Sequence, residues 1–113
     1  MGIVLYGIPN CDKVRAARKW FAAQGMDAGF HDFRKDGLPA GLLDGWIASQ
    51  GWEALLNKAG TTWRTLPDAE RLAVRDARSA RDLMLRHPSL IRRPVVVRDG
   101  KVRIGFSPGD YAR

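Results

Sequence analysis

The feature that most constrains this chain is a change of hydrophobic period near its start. Ile3-Val4-Leu5-Tyr6 is a short continuous apolar run closed by Gly7-Ile8-Pro9-Asn10, which reads as a buried strand ending in a turn. From Asp12 the period becomes helical. Val14, Ala17 and Phe21 share one face with Trp20 beside them, Lys13, Arg15, Arg18 and Lys19 lie mostly elsewhere, and Gly25 supplies a stop. A strand that feeds an amphipathic helix through a tight turn opens an α/β unit.

The same signals place the remaining elements. Residues 28–33 form a plausible second strand, and Lys35-Asp36-Gly37 turns the chain into a helical stripe of Leu42, Leu43, Trp46 and Ile47. The middle, about 51–91, reads as helical. Trp52, Leu55 and Leu56 suggest a short helix. Thr65-Leu66-Pro67-Asp68 has capping-box spacing and predicts a helix through about Arg75, and Ser79 and Asp82 repeat that spacing before Leu83. Near the end, Val95–Val97 and Val102–Phe106 flank Arg98-Asp99-Gly100-Lys101, a strong hairpin signal, and 108–113 can start one helical turn. The order β, α, β, α, helical insert, β-hairpin predicts an α/β layer architecture.

At 113 residues the chain is one domain by length, and 45% hydrophobic residues can fill a core with no staple. Cys11 is the only cysteine, so an internal disulfide and a cysteine-based zinc site are both excluded, and two isolated histidines make a poor metal set. No signal-peptide pattern or membrane-length apolar run is visible, so the expectation is a soluble cytoplasmic protein whose thiol stays reduced. The net charge of +7 is uneven: residues 57–103 hold 12 basic and 5 acidic side chains, and ten of the 12 are Arg. Arginine forks suit oxyanions, although an Arg-rich solvated helical surface explains most of them as well. No nucleic-acid motif accompanies the charge, which disfavours a nucleic-acid partner.

Cys11 sits where the first strand gives way to the first helix. Unpaired backbone N–H groups and the helix dipole favour negative charge there, which lowers a thiol pKa and suits an oxyanion ligand. Asn10 and Asp12 flank it as substrate-binding candidates; Asp12 also suits the dipole. The alternative is a small apolar core residue, against which stands the polar Pro-Asn-Cys-Asp-Lys setting. Val14 occupies the place of the second cysteine of a C-x-x-C site, so a redox cycle needs an external thiol, with glutathione or a glutaredoxin-like protein as the donor class. Pro94 begins the Val-rich strand. On base rates Arg93-Pro94 is an ordinary trans bond. Trp20, Trp46, Trp52 and Trp63 read as packing residues, His31 as a strand residue and His87 as a helix-end cation.

Taken together, Tyr6-Gly7-Ile8-Pro9-Asn10-Cys11-Asp12, Trp52-Glu53-Ala54-Leu55-Leu56-Asn57, Gly60-Thr61-Thr62-Trp63-Arg64, Arg93-Pro94 and Gly105-Phe106-Ser107 resemble the ArsC-like family. The YffB-type branch is nearest and Spx more distant. The similarity runs from about Ile3 to Ser107. It implies a thioredoxin-like fold, a βαβ…ββα core with the helical insert between its halves, and a cis Arg93-Pro94 bond. In arsenate reductases of this family the cysteine attacks arsenate, glutathione forms a mixed disulfide and glutaredoxin resolves it, assisted by three arginines. By position, Cys11 matches the nucleophile and Arg93 one arginine. Asn57 stands in place of another, and the third falls near Phe106. Arg64 is a candidate compensating charge, Pro94 joins the substrate-binding set, and Arg103 reads better as a solvent-facing strand residue.

A charge-assisted contact to an oxyanion is worth about 1.5–3 kcal/mol, so two missing arginines cost roughly two to four decades of affinity. The resemblance therefore implies a monothiol oxidoreductase that uses glutathione as co-substrate, with no bound cofactor and no metal. A glutaredoxin-linked arsenate reductase is the runner-up. A non-catalytic, Spx-like regulator docking on RNA polymerase is a third reading, disfavoured because Val14 removes the C-x-x-C switch.

Overall fold

The structure, a computed structural model, describes residues 2–111. The chain divides into two compact units: Leu38–Arg92 is helical, and the described residues on either side of it form a sheet unit. The insert thus begins earlier than the expected 51.

In the sheet unit, β1 (Ile3–Gly7) leads into α1 (Asp12–Ala23) and then β2 (Ala28–Asp32), and β3 (Val95–Arg98) turns into β4 (Lys101–Ile104). The strand order is β2-β1-β3-β4, with β1 parallel to β2 and antiparallel to β3. Register pairs Leu5 with Phe30 on one side and Val96 on the other. Val14, Ala17 and Phe21 are buried as their spacing requires. Gly25 takes φ +68°, its N–H donates to Ala22 O, and Met26 N–H donates to Phe21 O. This is a Schellman stop, with Met26 packed against the cluster that contains Phe21. At the hairpin, Asp99 (φ 51°) and Gly100 (φ 81°) supply the two left-handed residues of a type I′ turn. β4 ends at Ile104, short of the expected Phe106, because Gly105 turns away with φ +82°.

Leu5, Ala17, Phe21, Val96 and Tyr111 form the core of this unit. Burying Leu5, Phe21 and Val96 contributes about 1.5–3 kcal/mol each. Phe106 and Trp20 extend it: the Phe106 ring lies 5.6 Å from both Trp20 and Phe21 and stacks on Tyr111 at 5.9 Å. Tyr111 follows a single 3-10 turn, Pro108–Asp110, so the expected terminal helix is one turn among the described residues. The Tyr111 hydroxyl is buried with no hydrogen-bond partner among them, and burial pushes its pKa up.

In the helical unit, α2 (Ala40–Gln50), α3 (Trp52–Leu55), α4 (Thr61–Thr65), α5 (Asp68–Leu72) and α6 (Ala77–Arg86) follow in order. Leu43, Trp46, Leu55, Leu83 and Met84 are among its buried residues. The α2 helix belongs here through its buried Leu43 and Trp46, and Arg81 on α6 also donates to Asp44 on α2 at 2.5 Å. Leu56 bridges to Ile91, and Asn57 N–H donates to Leu90 O while Arg92 N–H donates to Leu55 O, both at 2.8 Å. This short ladder fastens α3 to the segment before Arg93.

Two helix starts differ from the expectation. Thr65 ends α4 rather than capping the next helix, its hydroxyl donating back to Thr61 O and Thr62 O. Pro67 is the N-cap of α5, which stops at Leu72 rather than Arg75. The Ser79 box lies one turn earlier than expected: Asp76 caps α6 and Ser79 is its N3 residue, each side chain serving the other's backbone N–H. The short helix α4 had no sequence signal of its own.

Tyr111→Phe removes a buried hydroxyl that has no hydrogen-bond partner among the described residues and is expected to be at least as stable as the parent, by up to about 1 kcal/mol. Tyr111→Ala opens the aromatic cluster and is expected to lose about 3 kcal/mol. Urea denaturation of both variants is the check; a Tyr111→Phe variant weaker than the parent would contradict the unpaired state of the hydroxyl.

Candidate active site

The site is built where β1 ends. Gly7 is buried in the strand, and a Cβ there would lie 2.8 Å from Val14 Cγ2 and 3.8 Å from Arg93 Cβ and Cγ. A glycine is therefore required by the approach of helix α1. With no side chain at position 7, the first turn of α1 settles against the strand end, and Ile8 is buried while Pro9 and Asn10 are exposed in the turn between them.

Cys11 is the N-cap of α1, in extended backbone conformation (φ −101°, ψ 127°), and its carbonyl accepts the first helical bond from Arg15 N–H at 2.9 Å. Sγ makes no capping hydrogen bond of strict geometry, so the N–H groups of the first turn act on it chiefly as dipoles. Partial burial pushes the Cys11 thiol up. The N–H groups of Val14 and Lys13 oppose this, and the Arg93 guanidinium, acting as a charge and as a hydrogen-bond donor, adds to them. The net effect holds the thiol below its ordinary value. Arg93 is half-buried, and Pro94, joined to it by a cis peptide bond, is buried at the start of β3. The cis state is the one implied by the family resemblance.

Cys11, Asn10, Asp12, Arg93 and Pro94 thus lie in one unit. Asp12 is exposed and ion-pairs with Arg15 one turn on, so part of its charge is turned along the helix. Asn57 and Arg64 lie in the helical unit. Asn57 Oδ1 accepts Ala59 N–H at 3.0 Å, and Arg64 Nη1 donates to Ala59 O at 2.9 Å. Both side chains thus serve their own loop, which is tight enough that a Cβ on Gly60 would fall 2.9 Å from Asn57 Nδ2.

Other singled-out residues take structural places. The Arg103 guanidinium reaches Asp110 at 3.5 Å on an exposed surface. Trp46 is buried, and the Lys58 ammonium lies over Trp52 at 5.9 Å and Trp63 at 5.3 Å. His31 Nε2 is 2.7 Å from Gly37 O in a turn after β2, and His87 is the C-cap of α6. The sequence reading missed the Phe106–Tyr111 stack, whose partners are distant from α1 in sequence. Among the described residues no group of three or more His, Cys, Asp or Glu could hold a metal ion, and no helix is long and apolar enough to cross a membrane.

A sheet of parallel and antiparallel strands with a thiol at the first strand–helix corner and a cis-proline beside it defines a thioredoxin-like protein. The comparisons with known proteins narrow this. The sequence matches the ArsC family over residues 6–113, and the chain belongs to that family, whose members are arsenate reductase-like. A solved structure, the YFFB (PA3664) protein, superposes with a TM-score of 0.90 at 41% identity, covering 96% of this chain and 95% of that one. The solution structure of an arsenate reductase (ArsC) related protein from Brucella melitensis is 50% identical, with a TM-score of 0.79, over 98% of this chain and 92% of its own. An uncharacterized protein from Haemophilus influenzae is 39% identical over 96% of this chain and 95% of its own length. The global transcriptional regulator Spx of Streptococcus pyogenes is a more distant relative, at 27% identity over 93% of this chain and 78% of its own length.

Two outcomes follow from this geometry. Alkylation of Cys11 by iodoacetamide is expected to show a midpoint below that of an ordinary thiol, moving upward in Arg93→Ala. The unfolded chain binds more protons between the native and the unfolded thiol values, so stability rises with pH across that window, is fully gained above the unfolded value, and is lost as pH falls through the native one. Cys11→Ser should flatten that slope. Separately, Gly7→Ala forces α1 away from the strand end and is expected to cost about 1–3 kcal/mol and to raise the alkylation midpoint as well.

Proposed function

We propose that this protein is a monothiol oxidoreductase that uses glutathione as co-substrate, with Cys11 as nucleophile. The observation that carries the reading is the pairing of the sole cysteine with Arg93 at the N-terminus of α1, which lowers the thiol pKa while no second cysteine stands at Val14.

In the proposed cycle the Cys11 thiolate attacks the glutathionyl sulfur of a mixed disulfide R–S–S–G. A new S–S bond forms between Cys11 Sγ and the glutathionyl sulfur, the S–S bond of R–S–S–G breaks, and R–S⁻ leaves and takes a proton. A second glutathione thiolate then attacks the glutathionyl sulfur on Cys11, releasing Cys11 thiolate and oxidised glutathione. The substrate disulfide is reduced and two glutathionyl groups become a disulfide, so electrons balance without a resident cofactor. A glutaredoxin dithiol can replace the second glutathione. Arg93 stabilises the thiolate as attacking and as leaving group, with Pro94, Asn10 and Asp12 around it. Asn57 and Arg64 are assigned to substrate recognition by their places in the family pattern alone. The reading sets the reaction in the cytoplasm, where reduced glutathione is the abundant thiol.

Arsenate reduction is the weaker reading. At the places where arsenate-reducing relatives use arginine, Asn57 carries no charge and Phe106 is part of an aromatic cluster. Phe106→Arg would drive a charge into that cluster, so restoring both arginines is not a conservative change.

Mass spectrometry after treatment with oxidised glutathione is expected to show one glutathionyl group, on Cys11. Arg93→Ala should slow its formation by about tenfold, as the loss of one charge-assisted contact implies, and Arg93→Lys should recover part of the rate. Arsenate turnover with glutathione and glutaredoxin supplied is expected to be negligible. A parent protein that turns over arsenate robustly and forms no glutathione adduct would overturn the proposal.

A further inference from the structure

The chain leaves the helical unit at one peptide link. Arg92 is the last residue of that unit, and Arg93, beside the thiol, belongs to the sheet unit. What holds Arg93 in place is therefore divided between the two sides of the link. After it, Pro94 O accepts Gly105 N–H at 2.8 Å as β3 starts, and Arg93 Cβ and Cγ lie 3.8 Å from the position a Cβ on Gly7 would take. Before it, Arg92 N–H donates to Leu55 O and Asn57 N–H donates to Leu90 O, both at 2.8 Å, on either side of the Leu56–Ile91 bridge.

The fastening before the link is firmly set. Leu55, Leu56, Leu90 and Ile91 are all buried, and the Ser89 hydroxyl meets that of Thr62 at 3.1 Å. Between the Arg92 N–H and the Pro94 ring, whose φ is locked, only the φ and ψ of residues 92 and 93 are soft. With both ends held, the Arg93 backbone has few ways to move. With the Arg92 end released, the segment hangs from Pro94, and the guanidinium at the tip of a long side chain is displaced most. A cation that assists a reacting group works only when it is held to within about 0.5 Å by supporting residues.

We propose that the short ladder of Leu55–Asn57 with Leu90–Arg92 holds Arg93 against Cys11, so that Leu56, Ile91 and the backbone N–H of Arg92 are positioning groups for the thiol reaction. The helical unit thereby takes part in the chemistry through the backbone. The inference rests on the reading of Cys11 as nucleophile with Arg93 as its cation.

The test is alkylation of Cys11 by iodoacetamide across pH, in the full chain. Arg92→Pro deletes the N–H, and Ile91, at φ −76° and ψ 131°, already has the conformation that a residue before proline adopts. Its alkylation midpoint is expected to rise by at least half of the shift that Arg93→Ala produces. Arg92→Ala keeps the N–H and loses only an exposed side chain, so its midpoint should stay with that of the parent. Arg92→Pro combined with Arg93→Ala should match Arg93→Ala alone, because the two changes act through one guanidinium. Ile91→Val, a milder change, guards against a folding effect: faster hydrogen exchange at the Arg92 amide is expected together with a smaller upward shift. An unchanged midpoint in Arg92→Pro, an equal shift in Arg92→Ala, full additivity with Arg93→Ala, or faster Arg92 exchange in Ile91→Val without a shift would overturn the inference. Iodoacetamide reads the thiolate without glutathione, so a missing glutathione adduct would count against the proposed function and leave these outcomes to decide the positioning role.

Discussion

The contact on which the corner around Cys11 depends is between a residue without a side chain and Val14. Gly7 ends β1, and Val14 Cγ2 occupies the space a Cβ would need. That approach fixes how closely the first turn of α1 abuts the strand, and Arg93 packs against the same point from the other end of the chain. Three segments far apart in sequence therefore converge at one glycine. Cys11 inherits its environment from that convergence: a helix start beneath it and a guanidinium beside it.

The electrostatics of the corner are a balance. Partial burial alone would keep Cys11 protonated, and the helix-start N–H groups with Arg93 reverse that. The rest of the basic excess does other work. Arg15, Arg71, Arg81, Arg86 and Arg103 pair with nearby carboxylates on the surface, contacts that contribute about 0–1 kcal/mol each to stability. Arg64 closes its own loop. A net charge of +7 thus says little about the active site, whereas a single arginine preceding a proline says a great deal.

Family membership and site geometry bear on different questions. The matched span and the superposition on the YFFB protein establish the ArsC family and its fold. At Asn57 and Phe106 the structure shows side chains engaged locally: Asn57 in its turn, Phe106 against Tyr111.

What the sequence determined by itself was whatever short-range physics dictates. The stripe of Val14, Ala17 and Phe21, the Gly25 stop and the Asp99-Gly100 turn each depend on residues within a few positions, and each stands where it was read. The placing of Cys11 at a helix start was legible for the same reason. Local rules failed where neighbours compete: Thr65 had a capping spacing but bonded backward into α4, and Asp76 took the cap ahead of Ser79. Arg93 and its cis-proline came from resemblance to a family, since no local signal separates that bond from a trans one. Only tertiary structure could place α2 with the helical unit, through the burial of Leu43 and Trp46, or seat Phe106 on Tyr111, or bring Arg93 to the thiol. Each of those depends on where packing sets a distant or non-periodic side chain, and that information is held by the folded core rather than by any window of the chain.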